Sequence, residues 1–97
     1  MSINIKLVSV IIPSYNASKF IDITINSVLN QTYSNFELIV VDDGSTDDTE
    51  IHIKRYLTDE RVKYFKIKNG GVSNARNYGA SMSKGEYLCF LDADDFF

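Results

Sequence analysis

The amino-acid sequence predicts an α/β fold in which an open, mainly parallel sheet of about four strands carries helices on both faces. Four short apolar runs are rich in β-branched and aromatic residues, and most are continuous rather than alternating, as expected for strands covered on both sides. Segments with helical spacing separate the runs, and such alternation is typical of parallel α/β sheets. The predicted strands are Val8 to Ile12, Leu38 to Val41, Val62 to Ile67 and Tyr87 to Leu91.

The first helix is predicted from about Ser18 to Asn30, after the first strand. Its apolar residues recur at the i, i+4, i+7, i+8 spacing that turns one face of a helix towards a sheet. They are Ile21, Ile25, Val28 and Leu29. We therefore expect this helix to cover one face of the sheet.

The second helix is predicted to begin near Ser45 to Asp48, where hydroxyl and carboxylate groups can cap free N–H groups. Ile53, Tyr56 and Leu57 give it a shorter apolar stripe. His52 lies beside that stripe, with no neighbouring cysteine or second histidine to share a metal. We therefore expect His52 to face solvent.

The third strand, with the sequence VKYFKI, alternates more than the others and is placed nearer a sheet edge. The third helix is predicted to start at Val72 or Ser73 and to end near Lys84 and Gly85. The small residues on its apolar face let it approach the sheet closely. That face comprises Val72, Ala75, Gly79 and Met82.

Length and composition limit the possible functions. The chain has 97 residues, enough for one domain, and 44% of them are hydrophobic, as in globular domains. A net charge of −3 offers no basic face for a nucleic-acid backbone, so no nucleic-acid partner is expected. Cys89, the only cysteine, lies in an apolar run and is expected to be buried. No signal peptide or membrane-spanning run is evident, so we expect a cytoplasmic protein.

The acidic residues are concentrated in two turns, 42–48 and 92–95. Both follow predicted strands, as does the turn at 13–16, and the carboxyl ends of parallel strands share one edge of a sheet. Taken alone, each acidic turn more often marks an ordinary loop. Together at one edge, close carboxylates favour a hard divalent cation that also takes oxygen ligands from phosphates. Paired glycines, Gly70 and Gly71, precede the third helix and allow close backbone approach.

Four motifs, in this order and spacing, resemble the family 2 glycosyltransferases, which use nucleotide sugars and have the so-called A-type fold. The motifs are VSVIIPSYN, QTYSNFELIVVDDGSTDDT, NGGVSNARNYG and GEYLCFLDADD. They cover nearly the whole chain, from Val8 to Asp95. The resemblance implies that residues 1–97 form a single, Rossmann-like nucleotide-sugar-binding domain, truncated as the N-terminal donor-binding portion of a longer transferase.

The resemblance also implies roles for individual residues. Pro13 and Tyr15 would border the base, and Asp43 would accept hydrogen bonds from the uracil or ribose. Asp42 would shape the turn. Arg76 would reach the nucleotide or its diphosphate, since arginine is a permanently charged, forked donor.

The implied metal site lies in the closing DADD motif. Asp94 would be the direct ligand of Mn²⁺ or Mg²⁺, and Asp92 would lie near the ribose or the metal's water shell. The role of Asp95 stays open. No catalytic residue is expected within the chain, because the general base would lie beyond Phe97.

The activity implied is metal-dependent transfer of a sugar, with inversion, from a nucleoside-diphosphate sugar to a hydroxyl acceptor. A UDP-sugar is the favoured donor, a glycan or lipid-linked acceptor is expected, and the longer protein would act in polysaccharide or cell-surface glycan synthesis, peripheral to the inner membrane face. We also expect self-association through an exposed sheet edge at Tyr87 to Leu91. A non-catalytic nucleotide-binding or interaction module is the main alternative. A phospho-acceptor signalling domain is a weaker one, because its acidic pair would follow the first strand.

Overall fold

The structure is a computed structural model, and it describes residues 6–93. Strands and helices alternate along this range, as predicted. The strands are β1 Val8–Ser14, β2 Phe36–Asp42, β3 Val62–Lys66 and β4 Tyr87–Phe90. The helices are α1 Ile21–Leu29, α2 Thr49–Lys54 and α3 Val72–Met82.

The four strands form one parallel sheet in the order β3-β2-β1-β4. The two central strands, β1 and β2, pair over their full length, from Val8 with Phe36 to Ser14 with Asp42. β3 lies at an edge, as its alternating sequence predicted. The carboxyl ends of all four strands therefore point to one edge of the sheet, the edge that carries the predicted site.

Two apolar layers cover the sheet, one on each face. Alternate residues of β1 and β2 enter different layers, because successive side chains of a strand point to opposite faces. One layer includes Ile12, Ile25 and Ile53 and contains α1 and α2. The other includes Ile11 and Ala75 and contains α3. The prediction of helices on both faces is confirmed.

α3 lies close to the sheet at Gly79, as predicted from its small residues. A Cβ atom at Gly79 would lie 2.5 Å from Cγ2 of Ile11 and 3.2 Å from Cγ2 of Val41. The predicted ends of the apolar face are wrong, since Val72 is 50% exposed and Met82 is 38% exposed. The helix ends at Met82 rather than near Gly85, because Ser83 is already extended, with φ −77° and ψ 148°.

α1 begins at Ile21, three residues after the predicted Ser18. The preceding residues form a separate turn, in which the backbone N–H groups of Phe20 and Ile21 both donate to the carbonyl oxygen of Ala17. In α2, Leu57 does not join the predicted apolar stripe, since it is 42% exposed and follows the helical range. Both differences lie at helix ends, where hydrogen bonds to neighbouring loops decide the path of the chain.

The predicted environment of His52 is wrong. Its side chain is only 24% exposed, and its Nδ1 lies 2.5 Å from Oδ2 of Asp22 on α1. The hydroxyl of Tyr56 donates to the other oxygen of Asp22 at 2.8 Å. Burial alone would raise the pKa of Asp22, but the hydrogen bonds from Tyr56 and His52 outweigh it and lower that pKa. The cluster joins α1 to α2 at the surface.

β4 is more exposed than its continuous apolar run predicted. Tyr87 is 57% exposed, Leu88 45% and Phe90 46%, and Cys89 is half-buried rather than buried. The reason is topological, because within residues 6–93 β4 pairs with β1 only and forms an edge of the sheet. Such an edge offers backbone groups for pairing, but self-association stays a prediction. No helix within that range is long and apolar enough to cross a membrane.

A buried carboxylate ties strands and loops together at the amino-end edge of the sheet. Glu37 of β2 is 4% exposed and accepts hydrogen bonds from Oγ of Ser9 and from the backbone N of Lys84, both at 2.6 Å. Nζ of Lys63 lies 2.6 Å from its other oxygen, and Ser9 Oγ accepts from the N–H of Gly85 at 2.8 Å. We call these five residues the amino-end anchor.

Candidate functional site

Two adjoining cavities lie at the carboxyl-end edge of the sheet, where the predicted turns meet. The first, of about 300 Å³, brings together Pro13, Tyr15 and Asp43. The second, also of about 300 Å³, is lined by Pro13 and Tyr15 together with Asp92. The three turns thus share one edge, as their positions after strands predicted.

Residues that follow β3 supply the remaining wall of the first cavity. Asn69, Gly71, Val72 and Ala75 line it, although the sequence pointed only to the paired glycines there. A usable signal existed, because Asn69 opens the NGG turn and Val72 and Ala75 occupy the first turns of the helix behind it. The cavity therefore lies between the end of β1, the end of β2 and the start of α3.

Asp43 holds the β3–α3 loop in place. Its side chain is 4% exposed, and its two carboxylate oxygens accept hydrogen bonds from the backbone N–H groups of Gly70 at 2.8 Å and Gly71 at 3.0 Å. Its carbonyl oxygen accepts from Nδ2 of Asn69 at 3.0 Å. Each carboxylate oxygen has two lone pairs, so the predicted contact with a base or ribose is compatible with this loop contact.

Gly44 lets the β2–α2 loop pass close to the β3–α3 loop. Its φ of +73° lies in the left-handed region, and a Cβ atom there would lie 2.9 Å from the backbone N of Asn69. Glycine adopts this conformation at no steric cost. The loops that carry Asp43 and Asn69 are therefore packed backbone against backbone.

Asp42 shapes its turn, as predicted. It is fully buried, and its oxygens accept from the backbone N–H of Ser45 and from the hydroxyl of Tyr64, both at 2.8 Å. Burial raises the pKa of Tyr64, and the hydrogen bond to Asp42 raises it further. Asp42 faces the layer of α1 and α2 and does not line the first cavity.

Arg76 and Asp92 form an ion pair at the rim of the cavities, with Nη2 of Arg76 2.9 Å from Oδ1 of Asp92. Both side chains are partly exposed, at 39% and 49%. Within residues 6–93, the buried side-chain polar atoms without a hydrogen-bond partner are Nε of Arg76 and Oγ of Ser14. Ser14 also lines the first cavity, but its hydroxyl is neutral, so the charged Arg76 is the better donor of the two for an anionic ligand.

The predicted metal ligand Asp94 lies outside the described residues, as does Asp95. In the range 6–93, no three histidine, cysteine or acidic side chains are grouped as a metal site. Asp92 fits an outer role, because its exposed carboxylate beside the second cavity is an oxygen donor of the type that Mg²⁺ and Mn²⁺ prefer.

Asn16, which the sequence interpretation did not single out, connects the β1–α1 loop to the β2–α2 loop. Its Oδ1 accepts from the backbone N–H groups of Thr46 at 2.8 Å and Asp47 at 3.3 Å, and its own N–H donates to Oγ of Ser45 at 2.9 Å. Burial alone would raise the pKa of Asp47, but hydrogen bonds from Thr49 and Ser18 outweigh it and lower that pKa to about 2. Asn16 therefore joins the β1–α1 loop to the β2–α2 loop, and Asp43 joins the β2–α2 loop to the β3–α3 loop.

Comparison with known proteins points to one family. Residues 9–97 match the family model described as Glycosyl transferase family 2. An uncharacterized glycosyltransferase of Rickettsia bellii (strain RML369-C) is 52% identical over 90 residues, which is 93% of this chain and 13% of that protein.

Solved structures show the same fold. S. aureus TarS 1-349 in complex with UDP-GlcNAc has a TM-score of 0.86 and 36% identity, over 92% of this chain and 27% of that chain. The mannosyltransferase PcManGT from Pyrobaculum calidifontis, in complex with GDP-Man and Mn²⁺, has a TM-score of 0.86 and 28% identity, over 93% and 28%. The chain thus spans less than a third of the length of each of these three proteins.

Proposed function

The chain belongs to glycosyl transferase family 2, and from this premise we propose that its two adjoining cavities bind the nucleoside-diphosphate part of a nucleotide sugar. The observation that carries the proposal is the convergence of Pro13, Tyr15, Asp43 and Asp92 on those cavities at the carboxyl ends of the strands. Ligands of open α/β sheets bind at this edge.

Each wall of the cavities has a chemical role in the proposal. The rings of Pro13 and Tyr15 flank the base, and Asp43 accepts a hydrogen bond from the base or ribose while it keeps hold of the glycine loop. The 52% exposed ring of Tyr15 is available for stacking. Arg76, with a buried Nε that has no partner, donates to the diphosphate or the nucleotide. TarS 1-349, at 36% identity, is in complex with UDP-GlcNAc, which supports a UDP-sugar as the favoured donor.

A divalent cation, Mn²⁺ or Mg²⁺, fits the acidic rim, and PcManGT is a family neighbour in complex with Mn²⁺. Asp94 and Asp92 would hold it, Asp94 directly and Asp92 near its water shell. When bound, the cation supplies Lewis-acid neutralisation of the diphosphate that leaves. Arg76, paired with Asp92 at 2.9 Å, keeps this carboxylate oriented at the rim.

The proposed reaction of the whole protein is transfer of the sugar, with inversion, to a hydroxyl of a glycan or lipid-linked acceptor. The proposal assigns the acceptor site and general base to a part of the protein outside residues 1–97, and places the activity in polysaccharide or cell-surface glycan synthesis at the inner membrane face. A phospho-acceptor signalling role is less well supported, because β1 is followed by Tyr15 and Asn16 rather than by acids.

Calorimetric titration with UDP in the presence of Mn²⁺ tests the proposal. We expect saturable binding by the wild-type protein that chelation of the metal weakens, and a similar loss in Asp94→Ala. Asp59→Ala is the matched control, because Asp59 pairs with Arg61 at 2.8 Å and lines neither cavity. Absence of UDP binding by the wild-type protein would contradict the proposal. Binding without any transfer by the longer protein would favour the non-catalytic alternative.

A further inference from the structure

We infer that Asn16 is a positioning residue for the nucleotide, a role that rests on the proposed function of the site. Asn16 fixes the place of Tyr15 by holding the loop after β1 against the loop after β2. Asn16 also lines the second cavity, but the role inferred here belongs to its hydrogen bonds with the neighbouring loop. Its effect on binding passes through the backbone of its neighbour.

The hydrogen bonds of Asn16 run entirely to the β2–α2 loop. Its Oδ1 accepts from two successive backbone N–H groups, those of Thr46 at 2.8 Å and Asp47 at 3.3 Å. Its backbone N–H donates to Oγ of Ser45 at 2.9 Å. The following residue repeats the connection, since the N–H of Ala17 donates to Oγ1 of Thr49 at 2.9 Å. Two successive residues of the turn after β1, Asn16 and Ala17, are thus hydrogen-bonded to the segment that follows β2.

The backbone of Asn16 restricts which residue can do this. Its φ is +49°, and in the part of the chain that the structure describes it is the only residue other than glycine with a positive φ. Asparagine and aspartate adopt this region more readily than other side chains, because their short polar groups bond locally. The position therefore needs two properties together, tolerance of positive φ and an oxygen that accepts from Thr46 and Asp47.

Tyr15 depends on this arrangement because little else holds it. Its side chain is 52% exposed, yet it lines both cavities. A half-exposed ring takes its position from its own backbone rather than from packing. Since Asn16 is the next residue, the reversal of the chain at its φ of +49° sets where Tyr15 enters the site.

Two substitutions separate the two properties of Asn16. Asn16→Gly keeps tolerance of positive φ and removes the accepting oxygen, whereas Asn16→Asp keeps both. Asn30→Gly is the control, because it makes the same chemical change at the far end of α1, where φ is −92°. Circular dichroism at the titration temperature establishes that each variant is folded.

The experiment combines two NMR measurements in 0.15 M salt. Amide exchange in the ligand-free protein reports on the N–H groups of Thr46 and Asp47, which should exchange faster in Asn16→Gly and near the wild-type rate in Asn16→Asp. Titration with UDP plus the diamagnetic Mg²⁺, and separately with uridine, then measures affinity. We expect the dissociation constant of Asn16→Gly to rise on the order of tenfold for both ligands, because Tyr15 contacts the base that they share.

The outcomes distinguish the positioning role from the proposed function. Asn16→Asp should bind uridine, which has no diphosphate for the added carboxylate to repel, like the wild type, and Asn30→Gly should bind both ligands like the wild type. Undiminished binding by folded Asn16→Gly would overturn the positioning role alone, as would binding of uridine by Asn16→Asp as weak as that by Asn16→Gly. A wild-type protein that binds neither UDP nor uridine would overturn the proposed function and the positioning role with it.

Discussion

Two buried carboxylates, Glu37 near the start of β2 and Asp43 just after its end, lie at opposite ends of the sheet and are used differently. At the amino-end anchor, Glu37 is 4% exposed and takes donors from a hydroxyl, an ammonium and a backbone N–H. At the carboxyl end, Asp43 is equally buried but takes two backbone N–H groups of one loop and borders a cavity. The carboxylate of Glu37 connects neighbouring strands and a loop, whereas that of Asp43 holds one loop and also borders the first cavity.

The difference teaches that burial of a carboxylate does not by itself mark a ligand site. Both acids need donors, because an unpaired buried charge is costly. What differs is the kind of donor. Lys63 neutralises Glu37 from β3. The carboxylate of Asp43 accepts instead from the neutral N–H groups of Gly70 and Gly71. We expect substitutions at the anchor to affect stability and substitutions at the other end to affect binding.

The largest effect is expected at the anchor. Glu37→Ala leaves the hydroxyl of Ser9 and the N–H of Lys84 without their shared acceptor, and each buried donor left unpaired costs about 1–3 kcal/mol. The lost ion pair with Lys63, whose side chain is 37% exposed, adds about 0–1 kcal/mol. Urea unfolding measures the change in the free energy of unfolding. Glu60→Ala, at an exposed position, is the control and should change it by less than about 0.5 kcal/mol. A loss below about 1 kcal/mol in Glu37→Ala would show that the anchor is not a main source of stability.

A smaller stability loss and a larger binding loss are expected at Asp43. Asp43→Ala leaves the N–H groups of Gly70 and Gly71 unpaired, which costs about 1–3 kcal/mol. Affinity for UDP should fall by more than about tenfold, because both the acceptor and the loop that forms the cavity wall are lost. Glu37→Gln, measured under conditions where it is folded, should bind UDP like the wild type. Equal losses of UDP affinity in Asp43→Ala and Glu37→Gln would contradict the assignment of binding to the carboxyl end of the sheet alone.

Arg76 should affect binding with almost no effect on stability. Its ion pair with Asp92 is partly exposed, and such pairs contribute about 0–1 kcal/mol. Arg76→Lys keeps the charge but removes the forked donor. We expect Arg76→Lys to bind UDP more weakly than the wild type does. Its urea midpoint should be unchanged, and its affinity for uridine, which lacks the diphosphate, should change little. A uridine loss as large as the UDP loss would place Arg76 at the base instead.

The smallest effect is the acid dependence of stability, and it involves both ends. Burial alone would raise the pKa of Glu37, but hydrogen bonds from Lys63, Lys84 and Ser9 outweigh it and lower that pKa below 4.5, and the pKa of Asp47 is lowered from 3.8 to about 2. A folded-state pKa below the unfolded value means stability that is complete above the unfolded pKa and is lost as the pH falls through the folded one. The free energy of unfolding should therefore be flat above about pH 5 and fall between 4.5 and 2.

Glu37→Gln sharpens this prediction. In this variant the loss of stability between pH 4.5 and 2 should be smaller than in the wild type, because the contribution of Glu37 is gone while those of Asp47 and of Glu50, whose pKa is also lowered from 4.5 to about 2, remain. Unfolding by urea at a series of pH values measures both curves. A wild-type curve that rises as the pH falls below 4.5 would contradict the assigned signs.

The sequence predicted the features that depend on local periodicity. Continuous apolar runs located the strands, the alternation of VKYFKI located an edge strand, and acids after strands located the edge with the cavities. These succeed because spacing along the chain determines which face or end a residue occupies. Helix ends were less accurate, as at Ile21, since contacts from other loops decide them.

Pairings between distant segments escaped the sequence interpretation. The anchor joins Glu37 to Lys84, the surface cluster joins Asp22 to His52, and Asn16 joins Thr46, and no spacing rule relates these positions. The exposed edge at β4 was expected, but the burial predicted for Cys89 was wrong, because coverage of a strand depends on its neighbours and not on its own apolar run. For Asn16 alone the sequence held a signal, because the asparagine of the PSYN motif is a residue type that adopts a positive φ readily.

Mapping of UDP by backbone NMR tests the central claim, that the carboxyl-end edge binds the nucleotide, most directly. Titration with UDP and Mg²⁺, which is diamagnetic, should shift the amide signals of Tyr15, Asp43 and the 69–71 loop, and leave those of Lys84 and Gly85 at the amino-end anchor unchanged. Shifts concentrated at the anchor, or no saturable shifts at the carboxyl-end edge, would contradict the account.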